Sequence, residues 1–109
     1  MSGRKDDGEK PPMQLIDAAA SLELARVLGF GAKKYAPDNW RSGIALTRIL
    51  GAIKRHTAAI EMGEDRDPET GLLHAAHLMC EAMFLVNFQL YPDKYAKFDD
   101  RYGGQATSE

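Results

Sequence analysis

The chain has 109 residues, 44% of them hydrophobic and 28% charged, with a formal net charge of -2 at pH 7. That length suits one domain, and a helical subunit of this size buries only a thin core, so association into an oligomer is expected. The charge balance argues against a nucleic-acid duplex as partner, no apolar run reaches the length of a membrane span, and the single cysteine rules out an internal disulfide.

Residues 1–10 are polar and of mixed charge, and are expected to form a flexible arm. Pro11 and Pro12 end it in an extended conformation, after which Met13, Leu15 and Ile16 are expected to pack against the first helix. The first helix is predicted from Asp17 to about Tyr35. Its apolar face runs through Ala18, Leu22, Val27, Leu28 and Phe30, and Asp17 serves as N-cap. The segment APDNWRSG, residues 36–43, reads as a loop by its Pro, Asp-Asn and Gly content, and it carries the only tryptophan, Trp40.

A second helix is predicted from about Thr47 to Met62, with Ile49, Leu50, Ile53, Ala59 and Ile60 inward. A third is predicted from Pro68 to about Leu90, with Asp67 as its N-cap and Pro68 at its first position. Its apolar residues wrap most of the circumference, as in a helix buried among several neighbours. Pro92 stops it, residues 93–102 add at most a helical turn, and 103–109 reads as a disordered tail. The fold class is therefore all-α: a small bundle of three main helices in a domain spanning residues 11–102, completed by oligomerisation.

The chemistry concentrates between Arg55 and His77. All three histidines, His56, His74 and His77, fall there with the carboxylates Glu64, Asp65, Asp67 and Glu69. His74 and His77 are spaced one turn apart on one helix face, and an acidic loop between two antiparallel helices can bring carboxylates and imidazoles together around a metal. Glu64, Asp67 and His77 are the first candidates as metal ligands, followed by His74 and Asp65. Glu64 and His74 are the candidates for the catalytic role. Imidazole in the ligand set favours Mn2+ over Mg2+, which prefers oxygen. Lys34, Arg41 and Arg55 with the adjacent His56 are candidates for a triphosphate tail, Tyr35 and Trp40 for stacking on a purine, and Asn39 for a base or sugar hydrogen bond. Each has a plainer alternative: Asp67 as a cap, Trp40 as a core plug, Glu69 as a helix-dipole partner.

The strings GAKKYAPDNWR, RH and GEDRDPETGLLHAAH together resemble the MazZ-type phage branch, the dATP/dGTP diphosphohydrolases, of the MazG-like all-α nucleotide pyrophosphohydrolases. The resemblance covers roughly Lys10 to Leu90. It implies metal-dependent cleavage of a purine nucleoside triphosphate (dATP, dGTP or GTP) to monophosphate and pyrophosphate, in a helical dimer or tetramer. In a phage such an enzyme would act in the host cytoplasm and shape the nucleotide pool for 2-aminoadenine DNA. It places Lys34, Tyr35, Asn39 and Trp40 in the family motif. One departure stands out: the broader superfamily holds its metals on paired acidic motifs, where this chain offers His74 and His77. Two other classes compete, an HD-type phosphohydrolase, disfavoured because no His-Asp dipeptide occurs, and a non-enzymatic module that binds a nucleotide or metal.

Overall fold

The computed structural model describes residues 8–101. The expectations for most of the N-terminal arm and for the tail at 103–109 lie outside the described residues. Four α-helices occur in that range and no strand: α1 (Ala18–Lys34), α2 (Leu46–Glu61), α3 (His74–Leu90) and the single turn α4 (Pro92–Tyr95).

Helix α1 begins where Asp17 accepts a hydrogen bond from the Ala20 amide at 2.8 Å, and it runs through Gly29 and Gly31 to its two terminal lysines. Cations there complement the negative end of the helix dipole. Helix α2 has no cap of its own, since Ala45 occupies that position. Asp100 supplies one from far along the chain, accepting from the Thr47 amide at 3.0 Å and its hydroxyl at 2.7 Å. This satisfies an otherwise orphaned donor in the first turn of α2 and ties the C-terminal segment to it.

Helix α3 lies in the middle, packed along α2 and against α1 and α4. Ile49 of α2 is fully enclosed with Ala76, Cys80, Phe84 and Phe88 of α3, Val27 of α1 and Tyr95 of α4. Leu46 and Phe88 line one cavity at one end, while the His56 ring meets those of His74 and His77 at the other, so α2 and α3 run antiparallel.

Three expectations are corrected. Helix α3 starts at His74, six residues later than predicted, so Asp67 is not its N-cap. Residues 62–73 form a compact loop instead, closed by an antiparallel bridge between Arg66 and Leu73 and turned by Gly63 and Gly71 at φ 91° and 75°. Asp67 donates its amide to the Leu72 carbonyl, while its own carbonyl accepts from the Gly71 amide. These bonds fold the segment back on itself, and a helical start at Pro68 would forgo them. The second correction concerns Met13 and Leu15, in a 3-10 turn, and Ile16 just after it, which remain exposed rather than packing on α1. The third concerns the apolar face of α1: only Val27 is buried, and Leu22 and Phe30 are exposed, because α1 packs mainly against α3.

Candidate functional site

The loop at 62–73 and the facing ends of α2 and α3 gather the three histidines. His56 Nδ1 lies 2.9 Å from His74 Nδ1, and the His56 ring stacks on that of His77 at 4.9 Å and 6°. His74 is buried, its amide donating to the Asp65 carbonyl and its Nε2 lying 2.8 Å from Glu64 Oε1. Thr70 Oγ1 sits 2.7 Å from His77 Nε2 and accepts from the Leu72 amide.

These contacts decide the tautomers. An ionised Glu64 only accepts, so His74 Nε2 carries the proton and the Nδ1 of a neutral His74 is a bare lone pair. The 2.9 Å contact then requires His56 Nδ1 to donate to it. A chain of hydrogen bonds runs from His56 through His74 to Glu64, and its link at His74 Nδ1 must open for that nitrogen to bind a metal. Burial first, then His77 and His74, hold His56 below the ordinary histidine range, with Asp67 opposing. Burial also lowers His77, with Asp67 and Glu69 opposing and His74 adding to the effect.

Among the described residues His56, Asp67 and His74 form a group suited to a metal, their ligand atoms all within 4.8 Å of one another. Donors of one first-row ion, each at about 2.1 Å, lie no more than about 4.2 Å apart, so small rotations close the set. Glu64, behind His74 on Nε2, has the position of a carboxylate that orients a metal-bound histidine. Two imidazoles and one carboxylate make a donor set for a first-row divalent ion rather than for Mg2+, which prefers oxygen throughout.

The predicted site residues therefore separate. His56, expected among the substrate-binding groups, joins the ligand group, and His77 stands beside it rather than in it. Asp65 contributes its carbonyl. Asp67 accepts from the Glu69 amide at 2.7 Å through Oδ1. Lys34 reaches Glu69 at 4.0 Å, bringing the end of α1, with Tyr35, to the loop beside the histidines. Arg55 neighbours His56 on α2. Asn39, Trp40 and Arg41 lie elsewhere, in a 3-10 turn where Trp40 stacks on Phe84 at 4.7 Å and the Arg41 guanidinium covers the indole at 4.3 Å. Phe84 is seven residues beyond His77, about 10 Å along the helix. Trp40 thus packs, partly buried, against the core. Only its partial burial and the phenylalanines of α3 mark it so, and neither is visible in the local sequence.

Fold and site together define a small all-α domain that carries a histidine and carboxylate centre between two antiparallel helices. The chain belongs to the family described as dATP/dGTP diphosphohydrolase, N-terminal, which matches residues 1–101. It is 46% identical over 85 residues to a dATP/dGTP diphosphohydrolase of Salmonella phage PMBT28, covering 78% of this chain and 29% of that protein. The chain thus spans less than a third of the length of this relative. No solved structure matches.

Proposed function

We propose that this chain hydrolyses a purine nucleoside triphosphate, dATP, dGTP or GTP, to the monophosphate and pyrophosphate with the help of a divalent cation, Mn2+ or Mg2+. The observation that carries this reading is the convergence of His56, Asp67 and His74 to ligand distance, with Glu64 fixing the His74 tautomer. The family match and the name of the phage relative support the substrate class.

Attack of water at the α-phosphorus requires in-line geometry, neutralisation of phosphate charge and an acceptor for the water's proton. A divalent cation, when bound, supplies the charge neutralisation. His56, Asp67 and His74 would hold it, and the α2 and α3 scaffold keeps their geometry. His74 has both ring nitrogens engaged, so the proton acceptor is better sought in His77, kept neutral by burial and with no hydrogen bond at Nδ1. Lys34 and Arg55 at the rim attract the triphosphate tail.

Assay of the protein against the eight common nucleoside triphosphates, with Mn2+ and Mg2+ separately, tests the reading. Monophosphate and pyrophosphate from one or two purine substrates are expected. The two-histidine, one-aspartate group favours a second reading, a triphosphohydrolase of the HD type, which would release tripolyphosphate instead. Absence of product from every substrate would favour a binding module. In a phage, the first reaction would shape the nucleotide pool for 2-aminoadenine DNA. Assembly into a homodimer or homotetramer belongs to the same proposal, supported by the apolar residues Met79, Val86 and Leu90 left exposed along α3.

A further inference from the structure

Thr70 is a half-buried hydroxyl in the loop at 62–73, and the backbone on either side of it is held by several bonds. The Asp67 amide donates to the Leu72 carbonyl at 2.8 Å and the Gly71 amide to the Asp67 carbonyl at 2.7 Å. The Glu69 amide donates to Asp67 Oδ1 at 2.7 Å, and Arg66 Nη1 to the Gly71 carbonyl at 3.1 Å. From this fixed turn the Thr70 oxygen accepts from the Leu72 amide at 3.2 Å and stands 2.7 Å from His77 Nε2. The hydroxyl thus ties the loop to α3 at the histidine that lies beside the ligand group and not in it. Glu64, from the same loop, takes Nε2 of His74 at 2.8 Å. Both histidines of α3 are therefore tied at Nε2, which leaves Nδ1 as the nitrogen each can offer.

A threonine oxygen has two lone pairs, and the Leu72 amide uses one of them. The other can accept from a proton on His77 Nε2. That assignment gives the one N–H of a neutral ring an acceptor, whereas a proton on Nδ1 would have none among the described residues. A hydroxyl also orients the ring without adding negative charge to a site that must admit a polyanion. We propose that Thr70 is a positioning residue: its hydroxyl accepts from His77 Nε2 and holds the ring parallel to that of His56, so that Nδ1 is left to take the proton of the attacking water. This deepens the phosphohydrolase reading and rests on it. In the reaction the water oxygen bonds to the α-phosphorus and the bond from that phosphorus to the bridging oxygen breaks. Pyrophosphate leaves with the electron pair, and the water's proton passes to Nδ1. Thr70 acts only through His77.

The test compares four variants of the full chain: Thr70→Val, which keeps the branched shape without the hydroxyl, Thr70→Ser, which keeps the hydroxyl, His77→Gln, and Thr70→Val with His77→Gln. It reads kcat and KM on the preferred triphosphate, Mn2+ affinity by calorimetry, Tm, and the nitrogen NMR shifts of the His77 ring, assigned by their loss in His77→Gln. Thr70→Val should lower kcat about ten- to a hundredfold, as misplacement of a proton-transfer group does, with KM and Mn2+ affinity nearly unchanged. Thr70→Ser should recover most of that loss. In the His77→Gln background Thr70→Val should lower kcat no further. At pH 8 the metal-free wild-type protein should show His77 protonated at Nε2 and bare at Nδ1. A proton on Nδ1, additive losses in the double variant, a Thr70→Ser variant no better than Thr70→Val, or a fall in Tm with kcat unchanged would overturn the positioning role and leave the phosphohydrolase reading standing. Failure of the wild-type protein to release pyrophosphate from any triphosphate would overturn both.

Discussion

Glu64 orients the His74 ring although it lies outside the ligand group. By accepting from His74 Nε2 it leaves Nδ1 as a lone pair facing His56 and Asp67. Glu64→Ala should therefore lower Mn2+ affinity about 10–100-fold while the helices persist, as loss of an orienting carboxylate does. Titration calorimetry with far-UV circular dichroism checks this, and unchanged affinity would remove Glu64 from the site. The depressed His56 and His77 also make stability depend on pH. Their unfolded forms titrate near 6.5, so below that pH the unfolded state binds more protons than the folded one. This contribution is complete above pH 6.5 and is lost as the pH falls through the lower folded values. Thermal melts between pH 7.5 and 5 should show Tm falling on acidification, with a shallower slope in a His56→Gln/His77→Gln double variant. Cys80 behaves differently. Burial pushes its thiol up to about 12, so a thiol reagent at pH 8 should leave the native protein unlabelled and react promptly once it unfolds.

At the level of elements, α3 is the beam on which the others rest, and Phe84 is its main contact with the Trp40 turn. Phe84→Ala should cost about 3–5 kcal/mol in chemical denaturation, because it opens a cavity and removes the surface on which Trp40 stacks. The join between residues 36–45 and the C-terminal turn is equally specific. Gly43 has φ 114°, and a Cβ there would overlap the Phe98 ring, while the Tyr95 hydroxyl donates to the Arg41 carbonyl at 2.9 Å. Gly43→Ala should lower Tm through both backbone strain and that overlap, with little change in Mn2+ affinity, since the histidines lie at the other end of α2.

For the whole molecule, the proposed assembly is measurable on α3. A charge introduced at its exposed apolar stripe, Val86→Asp, should convert the proposed oligomer to monomer in light scattering. What the linear order of residues determined by itself was the helical class, the Asp17 cap, the end of α3 before Pro92, and the stretch in which the histidines and carboxylates would meet. Periodicity, capping chemistry and proline are local properties, so they can be read before the chain is folded. Only the tertiary structure decided that His56 comes together with Asp67 and His74, that Glu64 stands behind them, that Trp40 packs against the core and that the acidic segment closes as a loop before α3. Those outcomes depend on which faces of two antiparallel helices meet and on backbone hydrogen bonds within one loop. Neither is encoded in spacing along a single helix, because ligand distance is set across the interface between helices.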